Sequence, residues 1–182
     1  MDTIIILSDT HGCRPLMKKM NDHIQTIQPT IIFHLGDTYN DAEFFKKNSC
    51  ELLRIPGVWD QQYEEPYVDN RVFITRYSWR FFLSHTIDSH YMDLPEDTHP
   101  EDIIKRKECD VFCYGHTHIP SIKCEKQIIF INPGHLKKDD KRGYPASFAL
   151  LKLDDQNMDI IISNVEDGKT VCHKEFNKDD IA

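Results

Sequence analysis

Apolar positions along this chain fall into two kinds of run. The first is short and nearly unbroken: Thr3–Leu7, Thr30–Leu35, Glu51–Ile55 and Val111–Tyr114, each stopped by polar or glycine-bearing residues. Short apolar runs bounded by turn signals predict buried strands. The second kind has helical spacing. Leu16, Met17, Met20, Ile24 and Ile27 mark one face of a helix over Pro15–Ile27, closed by Gln28-Pro29. Asp41–Lys47 predicts a short helix, and Pro100–Lys107 another with Pro100 in the tolerated first turn. Strand and helix alternate through the first third, which predicts parallel pairing. In such sheets ligand sites form at the carboxyl ends of the strands.

The second half carries more strands. Val72–Tyr77 and Arg80–Ser84 predict one hairpin pair. Ile119–Cys124 and Ile128–Ile131 flank Glu125-Lys126-Gln127 as a second, and Ser147–Leu153 and Met158–Asn164 flank Asp154–Asn157 as a third. Lys137–Tyr144 is charged, contains Gly143 and predicts a loop. No repeat, linker or low-complexity stretch divides the chain. Residues 1–182 are expected to form one domain, with 177–182 a fraying acidic tail.

Composition narrows the function. The 182 residues hold 22 Lys+Arg against 30 Asp+Glu, a formal net charge of -8. Non-specific nucleic-acid or anionic-membrane binding needs a basic face, so neither is expected. An anionic substrate then requires a site with cations of its own. The apolar runs stay far short of the ~20 residues of a bilayer span. Cys13, Cys50, Cys109, Cys113, Cys124 and Cys172 form no C-x-x-C pair, and reduced thiols in a cytoplasmic protein are expected. Met1-Asp2 runs straight into the first strand, with no secretory signal visible.

The oddity is the 10 His on an acidic chain. Several stand, with carboxylates, just past predicted strands: Asp9 and His11 after the first, Asp37 after the second, His85 after Ser84, and His116 and His118 after Tyr114. Gly12, Gly36 and Gly115 stand where the backbone must turn sharply. Singly, Asp9 and Asp37 could be caps and His85 a satisfied strand-end residue; their shared placement argues for one site. Imidazole and carboxylate without thiolate suit Mn, Fe, Zn or Ni rather than a structural zinc site. Several such ligands converging in an open crevice suggest two metals sharing one bridging carboxylate.

Taken in order, Ser8-Asp9-Thr10-His11, Leu35-Gly36-Asp37, Ser84-His85, Gly115-His116-Thr117-His118 and Asn132-Pro133-Gly134 resemble the calcineurin-like metallophosphoesterases over about residues 3–165. Gly115–Pro120 and Arg142-Gly143-Tyr144-Pro145 resemble the small prokaryotic phosphodiesterase (YfcE-like) branch. The resemblance implies an α/β fold, a four-layer αββα sandwich of two mixed β-sheets flanked by helices. It implies two divalent metal ions, manganese first, with zinc, iron, nickel or magnesium as alternatives. Asp9, His11 and His118 would hold one ion, Asp37 would bridge, and His85 and His116 would hold the second. Asp37, His85 and His116 would then stand closest to the chemistry, metal-activated hydroxide attack on a small-molecule phosphate ester, a diester favoured. Members of this branch pair, so a homodimer is the expectation.

The chain departs from the family pattern at three places. The family's Gly-Asn-x-Asp, whose Asn ligates the second metal and meets the phosphate, is Gly57-Val58-Trp59-Asp60 here. Valine coordinates nothing. The usual His-Gly-His is His85-Thr86-Ile87, and Asn-Pro-Gly-Ser is Asn132-Pro133-Gly134-His135. Asp60, His90 and His135 are the candidates to compensate, and Trp59 either contacts substrate or packs on Tyr63. His34 is expected just behind the site. The alternative is an interaction scaffold with weak or no catalysis, as in the vacuolar-sorting retromer subunit of the same fold.

Overall fold

In the computed structural model, which describes residues 1–181, the apolar runs become the strands of two sheets. The first sheet contains β1 (Asp2–Leu7), β2 (Ile31–His34), β3 (Glu51–Arg54), β9 (Ser147–Leu153), β10 (Asn157–Asn164) and β11 (Thr170–Asn177), in the order β11-β10-β9-β1-β2-β3. The second contains β4 (Arg71–Arg76), β5 (Trp79–Ser84), β6 (Val111–Cys113), β7 (Ser121–Glu125) and β8 (Ile128–Asn132), in the order β4-β5-β6-β8-β7. Both sheets are mixed. β1, β2 and β3 run parallel, as do β5, β6 and β8, while the remaining pairs are antiparallel.

The side-chain period of two explains the layering. On β1, Ile4 and Ile6 face the second sheet, where Phe81, Leu83, Ile129 and Ile131 meet them. Ile5 and Leu7 face the other way, onto Leu16, Met17, Met20 and Ile24 of α1 (Arg14–Ile27). On the second sheet, Phe82 and Phe112 face outward onto Ile103 of α2 (Pro100–Arg106). The strands are therefore apolar on both faces, and each buried Ile, Leu or Phe contributes roughly 1.5–3 kcal/mol. The result is the expected αββα sandwich. Among the described residues no helix is long and apolar enough to cross a membrane, and all six cysteines are free.

Three expectations change. The helix expected over Asp41–Lys47 is a 3-10 helix over Tyr39–Phe45, begun by Thr38 in a left-handed conformation. A second 3-10 helix, Gln61–Glu64, occupies a segment without helical periodicity. The fraying tail over 177–182 is ordered as far as Ile181: Asn177 closes β11, its side chain accepts from the Asp179 amide at 3.0 Å, and Ile181 joins the core between the sheets. Residue 182 lies outside the described residues. β11 carries no sequence signal because it is an edge strand paired with β10, and its largely polar, exposed residues show no apolar alternation.

Candidate metal centre

Parallel pairing brings the carboxyl ends of β1, β2, β5 and β6 to one edge of the sandwich, and every predicted ligand leaves the sheets there. Backbone bonds lock the turns together. The Asp9 amide donates to Gly36 O at 2.9 Å, and the Gly115 amide to His85 O at 3.0 Å. His85 Nδ1 donates to Leu35 O at 2.6 Å, joining the second sheet to the first. Asp9, His11, Asp37, His116 and His118 all have positive φ, between 44° and 63°. Left-handed backbone at a non-glycine residue costs on the order of 1–3 kcal/mol and persists where the surroundings over-determine it, often at functional sites. Five such residues at one strand edge mark this as a built constellation.

The side chains converge. His11 Nε2 lies 3.1 Å from His118 Nε2 and 3.6 Å from Asp37 Oδ2. Asp9 Oδ1 lies 3.1 Å from His118 Nε2. Asp9, His11, Asp37 and His118 each offer a ligand atom, and these four atoms lie within 4.8 Å of one another. On the other side, Asp37 Oδ1 lies 3.4 Å from His85 Nε2, which is 3.3 Å from His116 Nδ1. Asp37 thus presents one oxygen to each set of histidines.

Hydrogen bonds alone do not satisfy this arrangement. Asp9 Oδ2 accepts from Ser8 Oγ at 2.5 Å and from the His116 amide at 3.0 Å. Asp9 Oδ1 is buried and has no donor while His118 is neutral, because Asp140 then holds that ring's proton on Nδ1 and the nitrogen 3.1 Å from Oδ1 is a lone pair. An orphaned buried carboxylate oxygen amid ring nitrogens, with oxygen and imidazole as the only donors, fits a divalent cation. Two glycines leave the ligands their room. A Cβ on Gly115 would collide with Ser8 Oγ and Asp9 Oδ2, and one on Gly57 would collide with the Asp37 side chain and backbone.

The outer partners aim the rings. His85 and His118 each use Nδ1 as a donor, to Leu35 O and to Asp140 Oδ2 at 2.6 Å, which frees Nε2 to face the cluster. Carboxylate–histidine pairs of this kind fix the tautomer and raise ligand basicity. Asp140 was not expected from the sequence. It lies in the charged loop 137–144, and nothing in the order of residues there marks its carboxylate as buried. His34 sits directly behind the site, as expected: its Nε2 lies 3.3 Å from Thr10 Oγ1, itself a donor to Asp37 O.

Electrostatics divide the titrating groups. Burial pushes His11 and His116 below the usual imidazole range, the charge of His85 adding to the effect at His116. Burial also opposes the charge of His118, but its bonds to Asp9 and Asp140 prevail and hold its pKa above the ordinary value. Burial pulls Asp9 upward, yet the bond to His118 and the charge of His85 hold it below the carboxylate range. Burial pushes His34 down to about 4.

Two of the three compensating candidates, Asp60 and His135, spend their polar atoms on backbone groups. The Asp60 carboxylate accepts from the amides of Thr38, Tyr39 and Gly57 at 2.9, 3.0 and 2.7 Å, so it staples two turns together. His135 donates through Nε2 to Tyr144 O at 3.2 Å and accepts the Lys137 amide on Nδ1 at 3.1 Å, leaving neither nitrogen free. His90 comes within 6.4 Å of His116, ring to ring, as a neighbour. Trp59 is exposed, with its ring against those of His90 and Tyr91. Val58, at the family's Asn position, is buried.

Comparison with known proteins gives the family and the fold. The model of the calcineurin-like phosphoesterase superfamily domain matches residues 2–156. The phosphodiesterase YfcE of Escherichia coli (strain K12) is 24% identical over 174 residues, covering 85% of this chain and 89% of that protein. The solved structure of the E. coli phosphoesterase Yfce superposes with a TM-score of 0.69 at 20% identity, covering 94% of this chain and 98% of the other. Vacuolar protein sorting 29 from Cryptosporidium parvum superposes with a TM-score of 0.76 at 20% identity, covering 97% and 98%.

Proposed function

The chain belongs to the calcineurin-like phosphoesterase superfamily, a divalent-metal-dependent family, and on that premise we propose that it is a metal-dependent phosphodiesterase acting on a small phosphate ester. One observation carries the reading: the two oxygens of Asp37 face different histidine sets, His11 at 3.6 Å and His85 at 3.4 Å. In this reading Asp9, His11 and His118 hold one divalent ion, His85 and His116 hold a second, and Asp37 joins them. Manganese is the first choice, with zinc, iron, nickel or magnesium able to serve. Such ions, when bound, act as Lewis acids on phosphoryl oxygens and lower the pKa of water toward neutrality.

The chain's own residues prepare that chemistry. Leu35 O and Asp140 hold His85 and His118 in the tautomer that leaves Nε2 as a free lone pair. Ser8 and the His116 amide orient Asp9 so that its bare Oδ1 faces inward. The depressed pKa values of His11 and His116 keep both rings neutral and ready to coordinate at neutral pH. The carboxylates of Asp9 and Asp37 supply negative charge for the cations to offset, which lets an acidic protein receive a phosphate. The diester preference rests on the likeness to YfcE. A cytoplasmic homodimer completes the reading.

Val58 favours a second reading. The first half-site gathers four ligands, whereas the second has only Asp37, His85 and His116, because the buried Val58 contributes no donor. A weakly loaded second half-site would leave an interaction scaffold on the same fold. Hydrolysis of an aryl phosphodiester with added Mn²⁺, compared with a His116→Ala variant, separates the two. Turnover in the wild type that His116→Ala abolishes is expected. No turnover with Mn²⁺ or any of the alternative ions would sink the enzyme reading.

A further inference from the structure

Three rings stand together at one rim of the ligand cluster. Trp59 is 63% exposed and Tyr91 76% exposed. His90 links them to the site: its ring centroid lies 4.4 Å from Tyr91, 5.6 Å from Trp59 and 6.4 Å from His116. Trp59 and Tyr91 are 5.8 Å apart. Large rings held in water run against the hydrophobic effect, and a cluster of them beside a reactive site marks a binding surface.

The rings are held rigidly. Trp59 precedes Asp60, whose carboxylate binds the amides of Thr38, Tyr39 and Gly57. His90 and Tyr91 lie in a loop anchored by Asp93, which accepts from the His90 amide at 2.9 Å, Tyr63 Oη at 2.6 Å and Arg71 Nη2 at 2.8 Å. Tyr63 ties the two supports together, because its amide donates to Asp60 O at 3.0 Å. Arg71 and Asp93 are nearly fully buried, with side chains 2% and 7% exposed. A platform fixed before binding loses little freedom when a ligand arrives. Segments 57–70 and 85–99 contain no Lys or Arg, so this rim offers a phosphate backbone no countercharge. Ring faces are what it presents.

We infer that Trp59 is the stacking face, with Tyr91 inclined at 63° beside it as a wall, for a planar ring, nucleobase or aryl, carried by the phosphate ester. The inference rests on the phosphoesterase reading of the neighbouring cluster and specifies its substrate class. His90 accepts the Met92 amide on Nδ1 at 3.3 Å, which puts its ring proton on Nε2 as a donor for ring or phosphate.

The test uses 5′-AMP, phenyl phosphate and ribose 5-phosphate as probes, with and without Zn²⁺, a diamagnetic ion. The only other tryptophan, Trp79, is fully buried and gives a shielded background, so the ligand-dependent change in emission reports on Trp59. AMP is expected to quench that emission, and Trp59→Phe to remove the quenching. By calorimetry AMP should bind at least about tenfold tighter than ribose 5-phosphate, the scale of one stacked base. Trp59→Ala should collapse that ratio, Tyr91→Ala should reduce it, and Trp59→Phe should retain most of it. Phenyl phosphate matching AMP assigns a simple aryl group; phenyl phosphate binding more weakly assigns a base. Equal affinity for AMP and ribose 5-phosphate, or a ratio untouched by Trp59→Ala, overturns the platform. The two readings fail separately: turnover without ring preference removes the platform alone, and ring preference without turnover removes the catalytic reading alone.

Discussion

Removing the Asp140 carboxylate is the sharpest probe of how this site is held. Its Oδ2 lies 2.6 Å from His118 Nδ1, and its side chain is 2% exposed, so solvent does little to screen the pair. The same carboxylate accepts the Arg142 amide at 2.8 Å, which fixes its position. A hydrogen bond to a charged group contributes about 1.5–3 kcal/mol. At 1.36 kcal/mol per tenfold, Asp140→Ala should weaken metal binding through His118 by about 10–100-fold, the range seen for outer partners of metal-ligating histidines. Asp140→Asn, which keeps an acceptor and loses the charge, should fall between. The sign of the pH effect follows from the bonds to Asp9 and Asp140 that raise the His118 pKa. Without Asp140 the His118 proton leaves at lower pH, so the midpoint of metal uptake should move to more acid pH even as affinity at neutral pH falls. Chelator competition with Zn²⁺ or Mn²⁺ between pH 5.5 and 8 measures both. An affinity within twofold of wild type, with an unmoved midpoint, would refute the view that Asp140 orients and charges His118.

Two further outcomes follow from the geometry. Gly57→Ala places a Cβ against the Asp37 side chain and backbone; a shift of about 1 Å can cost on the order of 100-fold, so activity and metal stoichiometry should both collapse, and a fully active variant would show that Asp37 does not hold the centre together. His34 is fully buried with a pKa near 4 against 6.5 when free. Its folded pKa is depressed, so stability is full above pH 6.5 and falls by roughly 3 kcal/mol as pH drops toward 4; urea titrations across that range should show a flatter profile in His34→Gln, and an identical slope would refute the assignment.

Much of this protein was legible in one dimension. β1, β2 and β6 announce themselves as runs of Ile, Val and Phe because both their faces are buried, so no polar alternation interrupts them. β11 lacked any such signal, since backbone pairing to β10 holds it and hydrogen bonds leave no mark on side-chain order. The same division runs through the site. Asp9, His11, Asp37, His85, His116 and His118 follow strands directly, so position along the chain already placed them at one edge. Asp60 and His135 also stand in motif positions, but their polar atoms are taken by backbone groups of neighbouring turns.

By itself, then, the sequence determined which residues the strand ends carry and, through its family resemblance, the two-sheet sandwich. Only the tertiary structure decided which of those residues face one another. Asp140 reaches His118 across 22 positions, Asp93 joins Tyr63 and Arg71, and Trp59 meets Tyr91 across two separate loops. The reason is physical. Burial and periodicity act on each residue where it stands, whereas a hydrogen bond or a stacked ring depends on where two distant turns come to rest.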